Sequence, residues 1–122
     1  MTTETVADSN VFNSELSDLL RDVRFLKEKF LAVEKDLDTL RYKASATMDE
    51  LSRAEQALVA LVEERHTLAL RCRGWVLRHR TSETFTELDD MFTLQERLVG
   101  EVAAVHEAIL KRNVYSKMGY PS

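Results

Sequence analysis

Glycine occurs three times and proline once in 122 residues, and that proline, Pro121, stands at the tail. A chain so poor in breakers has few enforced turns, and with 31% charged residues this is the composition of long helices. The single cysteine, Cys72, excludes an intramolecular disulfide and fits a reducing compartment. No run approaches the length of apolar sequence needed to cross a bilayer, so no membrane span is expected. The opening MTTETVADSNVFNSEL has neither a basic region nor an apolar core, so it does not read as a secretory signal. It is acidic and lacks arginine before Arg21, which argues against a mitochondrial presequence. Positive charge is not in excess either. With a net charge of −4 the molecule as a whole is not built to attract nucleic acid. The expected setting is cytoplasmic, with the cytoskeleton and the nucleus also open.

What is present is a seven-residue repeat. Counted from Leu16, one set of seam positions is Leu16, Val23, Phe30, Leu37, Ala44, Leu51, Leu58, Arg65 and Cys72. The companion set, three residues on, is Leu19, Leu26, Val33, Leu40, Thr47, Ala54, Leu61, Leu68 and Trp75. Only Arg65 and Thr47 are clearly polar among these positions. A register sustained this long predicts a coiled coil. With no glycine or proline between Ser14 and Arg73, a helix of about 60 residues would be roughly 90 Å long.

The sequence therefore predicts an all-α chain in which a long coiled-coil helix carries a shorter second helix, folded back on it as a helical hairpin. The expected parts are a flexible segment over 1–13, the long helix over 14–73, a basic connector over 74–83, the second helix over 84–113 and a tail over 114–122. A spectrin-like up-down-up bundle of three helices is the alternative. It needs a break near KASATMDE, Lys43 to Glu50, where Thr47 and Glu50 have capping-box spacing. The second helix has the same spacing at Thr84 and Glu87. Its seam is Leu88, Met91, Gln95, Leu98, Val102, Val105 and Ile109, and Lys111 and Arg112 are cations near its end.

The two halves of the long helix differ. From Leu16 to Leu40 the apolar stripe is narrow, which suits a seam offered to one other chain. Leu16, Leu19, Val23, Leu26, Phe30, Val33, Leu37 and Leu40 are accordingly the candidate partner-binding residues. Opposite charges would meet across a parallel partner, Asp22 with Lys27, Lys29 with Glu34 and Asp36 with Arg41. From Leu51 to Cys72 the stripe widens to include Ala57, Val59, Ala60, Val62, Ala69 and Leu70, which suits packing against two or more helices.

The stretch RCRGWVLRHR, Arg71 to Arg80, concentrates four arginines, a histidine, the cysteine and the only tryptophan. Gly74 reads as a helix stop, with Trp75 packing back on Leu70. Arg71, Arg73, Arg78 and Arg80 then read as charges that stabilise a helix corner and dock an acidic partner surface. Cys72, on the seam, reads as a small buried hydrophobe. The spacings among His66, Cys72, His79 and His106 match no usual zinc pattern, so neither metal nor other cofactor is expected.

His66-Thr67-Leu68 resembles the start of the phosphorylated motif of histidine-containing phosphotransfer domains, which are helical bundles with an exposed histidine. The resemblance implies phosphotransfer at His66. That family carries a lysine and a small residue after the leucine, where Ala69 and Leu70 stand here. No paired carboxylates or nucleophile–base pair can be argued. The functional expectation is a non-catalytic coiled-coil subunit or adaptor that joins other coiled-coil chains in a homo- or hetero-oligomer. A compact three-helix adaptor is the alternative, and a phosphotransfer domain the third reading.

Overall fold

The chain turns at residues 43–47, although the seven-residue pattern runs through them in phase. A computed structural model describes residues 2–117, and the side-chain environments of 11–114. Among the described residues there are three helices and no strand: α1 (Thr2–Tyr42), α2 (Met48–His79) and α3 (Thr86–Lys117). All three pack against one another. The single helix expected over 14–73 is therefore two helices, and the chain follows the up-down-up alternative.

Thr47 makes the break. Its backbone is extended, and its hydroxyl accepts the Glu50 N–H at 3.2 Å, so it caps α2 as its spacing with Glu50 predicted. The other side of the turn is closed by a residue far away in sequence. The Arg112 guanidinium donates to the carbonyls of Lys43 (2.6 Å), Leu40 (3.4 Å) and Arg41. These are carbonyls that a helix end leaves without intrahelical partners, and a cation there also meets the negative end of the helix dipole. Arg112 thus serves the end of α1, and α3 itself runs on past it to Lys117.

Three further boundaries differ from the sequence expectation. Gly74 does not stop α2, which continues through it to His79 and ends on Arg80 in the left-handed conformation (φ 50°, ψ 44°). The N–H of Arg80 and that of Thr81 both return to the Val76 carbonyl, so the final turn is satisfied without glycine. The helix begun on paper at Thr84 starts at Thr86, where Leu88 N–H donates to Phe85 O at 3.0 Å. Of the segment 1–13, expected to be flexible, residues 2–13 lie in α1, and the expected tail 114–122 is helical to Lys117, with Met1 and 118–122 outside the described residues.

The seam is the core. Leu19, Val23, Leu26, Phe30, Val33, Leu37 and Leu40 of α1 meet Leu51, Ala54, Leu58, Leu61, Leu68, Cys72 and Trp75 of α2 and Leu88, Met91, Leu98, Val105 and Ile109 of α3. Leu16 and Val102 pack at its margin. Each large side chain hidden this way stabilises the fold by about 1.5–3 kcal/mol before ordering costs. Arg65 occupies a seam position by placing its guanidinium over the Phe92 ring, 4.8 Å from the centroid.

Charges beside the seam set the register. Glu15 pairs with Arg78 (3.2 Å), Asp22 with Arg71 (3.2 Å), Lys29 with Glu64 (3.3 Å) and Lys43 with Glu50 (3.0 Å). Forward steps of seven, seven and fourteen from Glu15 to Lys43 are matched by equal steps back from Arg78 to Glu50, so α1 and α2 are antiparallel. Glu34 pairs with Arg97, and Arg112 meets residues 40–43, so α3 runs parallel to α1. Asp22, Lys29 and Glu34, read from sequence as facing another chain, are thus taken up within this one. Exposed pairs of this kind contribute only about 0–1 kcal/mol each, but like charges in a wrong register would repel.

Candidate functional site

The stretch RCRGWVLRHR, Arg71 to Arg80, resolves into parts that do different things. Trp75 is a core residue: it is 2% exposed and stacks in a cluster with Phe12 (4.8 Å), His79 (5.2 Å) and Phe85 (6.1 Å). It does not pack back on Leu70, because α2 does not end at Gly74. Cys72 is 2% exposed, and burial pushes its thiol up to about 11, against the opposing pull of Arg71. A thiol so placed is protonated at neutral pH and is no nucleophile.

The four arginines do not converge. Arg71 and Arg78 lie one above the other on the side facing α1, where each holds a carboxylate. Arg73, two residues along the helix from Arg71, points to the opposite side, and Arg80 is the terminal turn residue. His79 shares Glu15 with Arg78, its Nε2 lying 2.8 Å from the carboxylate. The His79 bond, reinforced by Arg78, holds the Glu15 carboxyl below its ordinary range, although partial desolvation opposes the shift. The cluster is therefore a clamp between the start of the α1 core and the end of α2. His66 is exposed on α2.

The eight residues read as a seam for another chain are placed inside the bundle. Leu19, Val23, Leu26, Phe30, Val33, Leu37 and Leu40 are buried, and Leu16 is half-buried. In this arrangement α2 and α3 cover them. No group of three or more histidine, cysteine, aspartate or glutamate side chains among the described residues could hold a metal ion. Among the described residues no helix is long and apolar enough to cross a membrane.

What the surface offers instead is a groove between α1 and α2, of about 910 Å³, on the side away from α3. Its floor contains the seam residues Leu26 and Leu68, and its walls include Phe25 and Ala32 from α1 and Ala60 and Thr67 from α2. A second hollow of about 480 Å³ continues it past Ala57. Between the charged pairs that bridge it, the groove is widened by small residues. Alanine at 32, 57 and 60 leaves space that longer side chains would close. Phe25 stands at its edge 55% exposed, an aromatic ring left in water. The pairs Asp22–Arg71 and Lys29–Glu64 cross it, while Glu28 and Glu63, also in its walls, have no ion pair among the described residues.

Half of this site was visible in sequence. Ala57 and Ala60 belong to the widened stripe of α2, apolar residues beyond those a seam needs. Phe25 was missed. A phenylalanine two positions past the seam residue Val23, in a position otherwise charged or small, was the available signal. No protein-family model, no curated protein and no solved structure matches this chain.

Proposed function

We propose that this chain is a non-catalytic three-helix adaptor that takes its place in a larger assembly by docking one amphipathic helix of a partner protein into the α1–α2 groove. The observation that carries this reading is the groove itself, with Ala32 and Ala60 in its walls and the exposed Phe25 at its edge. A helix laid there would fill the gap that the alanines leave and would bury the Phe25 ring, now 55% exposed, a gain of about 1–1.5 kcal/mol from that side chain alone. The walls state the partner's chemistry. Asp22, Lys29, Glu64 and Arg71 already satisfy one another, which leaves Glu28 and Glu63 to meet lysine or arginine flanking the partner's apolar face.

The test is affinity purification of the full chain, followed by reconstitution with the helical segment identified. That segment, as a synthetic peptide, should bind the wild type and fail to bind Phe25→Asp and Ala60→Gln. Both positions are exposed, so circular dichroism should show intact folds. Glu28→Lys with Glu63→Lys should weaken the peptide further at low salt than at high salt. A peptide that binds all of these proteins equally would show that the groove is not the docking site.

A further inference from the structure

We propose that residues 43–47 form a hinge, and that two copies of this chain exchange their α2–α3 hairpins by straightening it into one continuous helix from Thr2 to His79. Three observations carry this. The first is phase. Leu37, Leu40, Ala44, Thr47, Leu51 and Ala54 alternate by three and four through the turn, as a single helix would require. A turn that never needs to be helical has no reason to keep this step. The second loop does not keep it: from Trp75 the seam resumes at Leu88 two residues out of phase, so α2 and α3 cannot fuse into one helix with one buried stripe.

The second observation is the chemistry of the hinge. Lys-Ala-Ser-Ala-Thr contains neither glycine nor proline and holds good helix formers. The left-handed residue that terminates α2, Arg80, has no counterpart here, because no residue of 43–47 has positive φ. The chain turns at this point through contacts rather than through backbone restriction.

The third is the ladder of ion pairs. Glu15–Arg78, Asp22–Arg71, Lys29–Glu64 and Lys43–Glu50 keep one seven-residue step up to the edge of the turn. Two straight helices lying antiparallel, each the partner of the other, would meet in this same register. Each pair would re-form between chains, and so would the seam contacts of α1 with α2 and α3. What the exchange removes is confined to the turn. The Thr47 cap is lost, and so are the Arg112 bonds to the α1 carbonyls, which the straightened backbone would satisfy itself. Arg112 and Thr47 are thus the latch that holds the bent form. The exchanged dimer would be a rod on the order of 120 Å long. It would carry two copies of the α1–α2 groove, so this inference and the docking reading stand or fall separately.

The experiment uses the full chain, refolded over a series of protein concentrations and sized by light scattering after gel filtration. Wild type should give a dimer fraction that grows with concentration during refolding. Arg112→Ala with Thr47→Ala should enlarge it severalfold. Ser45→Pro, and separately an insertion of two glycines after Ala44, should abolish it. The two hinge changes act differently on the backbone, so one serves if the other impairs folding. Identity of the dimer is read by mixing Asp22→Cys chains with Arg71→Cys chains, both with Cys72→Ala, before refolding. Exchange predicts a disulfide between the two different chains. A latch variant that stays monomeric at every concentration would overturn the proposal. So would a dimer that persists in both hinge variants, or one that forms no disulfide between these positions.

Discussion

Replacing Gly74 by alanine and Arg80 by glycine should each stabilise the protein, and together they test where α2 ends. Gly74 lies in the interior of α2, exposed, and a Cβ built on it meets nothing within 4 Å. Alanine there gains the difference in helix propensity, about 0.8–1 kcal/mol, with no steric offset. Arg80 sits at φ 50°, where a side chain costs about 1–2 kcal/mol. Glycine relieves that strain but adds about 0.4–1 kcal/mol of unfolded-state freedom, so the net gain is about 0.5–1 kcal/mol. The two sites are six residues apart on a rigid segment and share no partner, so the double variant should gain about 1.3–2 kcal/mol. At roughly 3–5 °C per kcal/mol for a chain of this size, the midpoint should rise by about 4–10 °C. Urea unfolding followed by circular dichroism measures both quantities, with the denaturant slope expected unchanged. The opposite pattern would refute the reasoning. If Gly74→Ala destabilised the protein and Arg80→Gly did nothing, then Gly74 would be the left-handed terminus that its sequence context suggests.

Cys72, buried with its thiol pushed up to about 11, should be thiolate in only roughly one molecule in ten thousand at neutral pH. A disulfide reagent should label it only on unfolding, at a rate that follows global stability, and rapid labelling of the native protein would show that α2 opens locally. Glu15 and Glu50 have carboxyls held below their ordinary value of 4.5, by His79 and by Lys43 respectively, each the first of several contacts. Such groups lend stability above that value and lose it as pH falls through the lower folded value. The thermal midpoint should therefore decline below about pH 4.5, and Glu15→Gln with Glu50→Gln should flatten that decline. An unchanged slope in the double variant would mean that these pairs carry no net stability.

Much of the architecture was legible because helices announce themselves locally. The scarcity of glycine and proline and the seven-residue apolar step dictate helices with one buried stripe, and within the helices most residues of that stripe are buried, whereas at the turn Ala44 and Thr47 are exposed and Ala46, off the stripe, is buried instead. Phe30, Leu37, Leu98 and Ile109, placed on the seam by counting alone, are fully buried. Thr47 with Glu50 was likewise readable, since a capping box is a contact between near neighbours. Gly74 misled, because glycine permits a terminus without requiring one, and the backbone at Arg80 found its own left-handed turn. The groove was legible only in part. Ala57 and Ala60 are visibly in excess on α2, but their meeting with Phe25 and Ala32 depends on which helix lies beside which.

Sequence by itself determined that this chain is helical, which face of each helix is apolar, and where a helix could begin. A periodic stripe states only that it must be covered. Whether α2 and α3 or a second chain covers it was decided by tertiary contacts, above all by Arg112 reaching back to the carbonyls at the end of α1 and by the charge ladder that aligns α1 with α2. Those contacts join residues tens of positions apart. Their existence depends on the path of the whole chain, and no local spacing encodes that path.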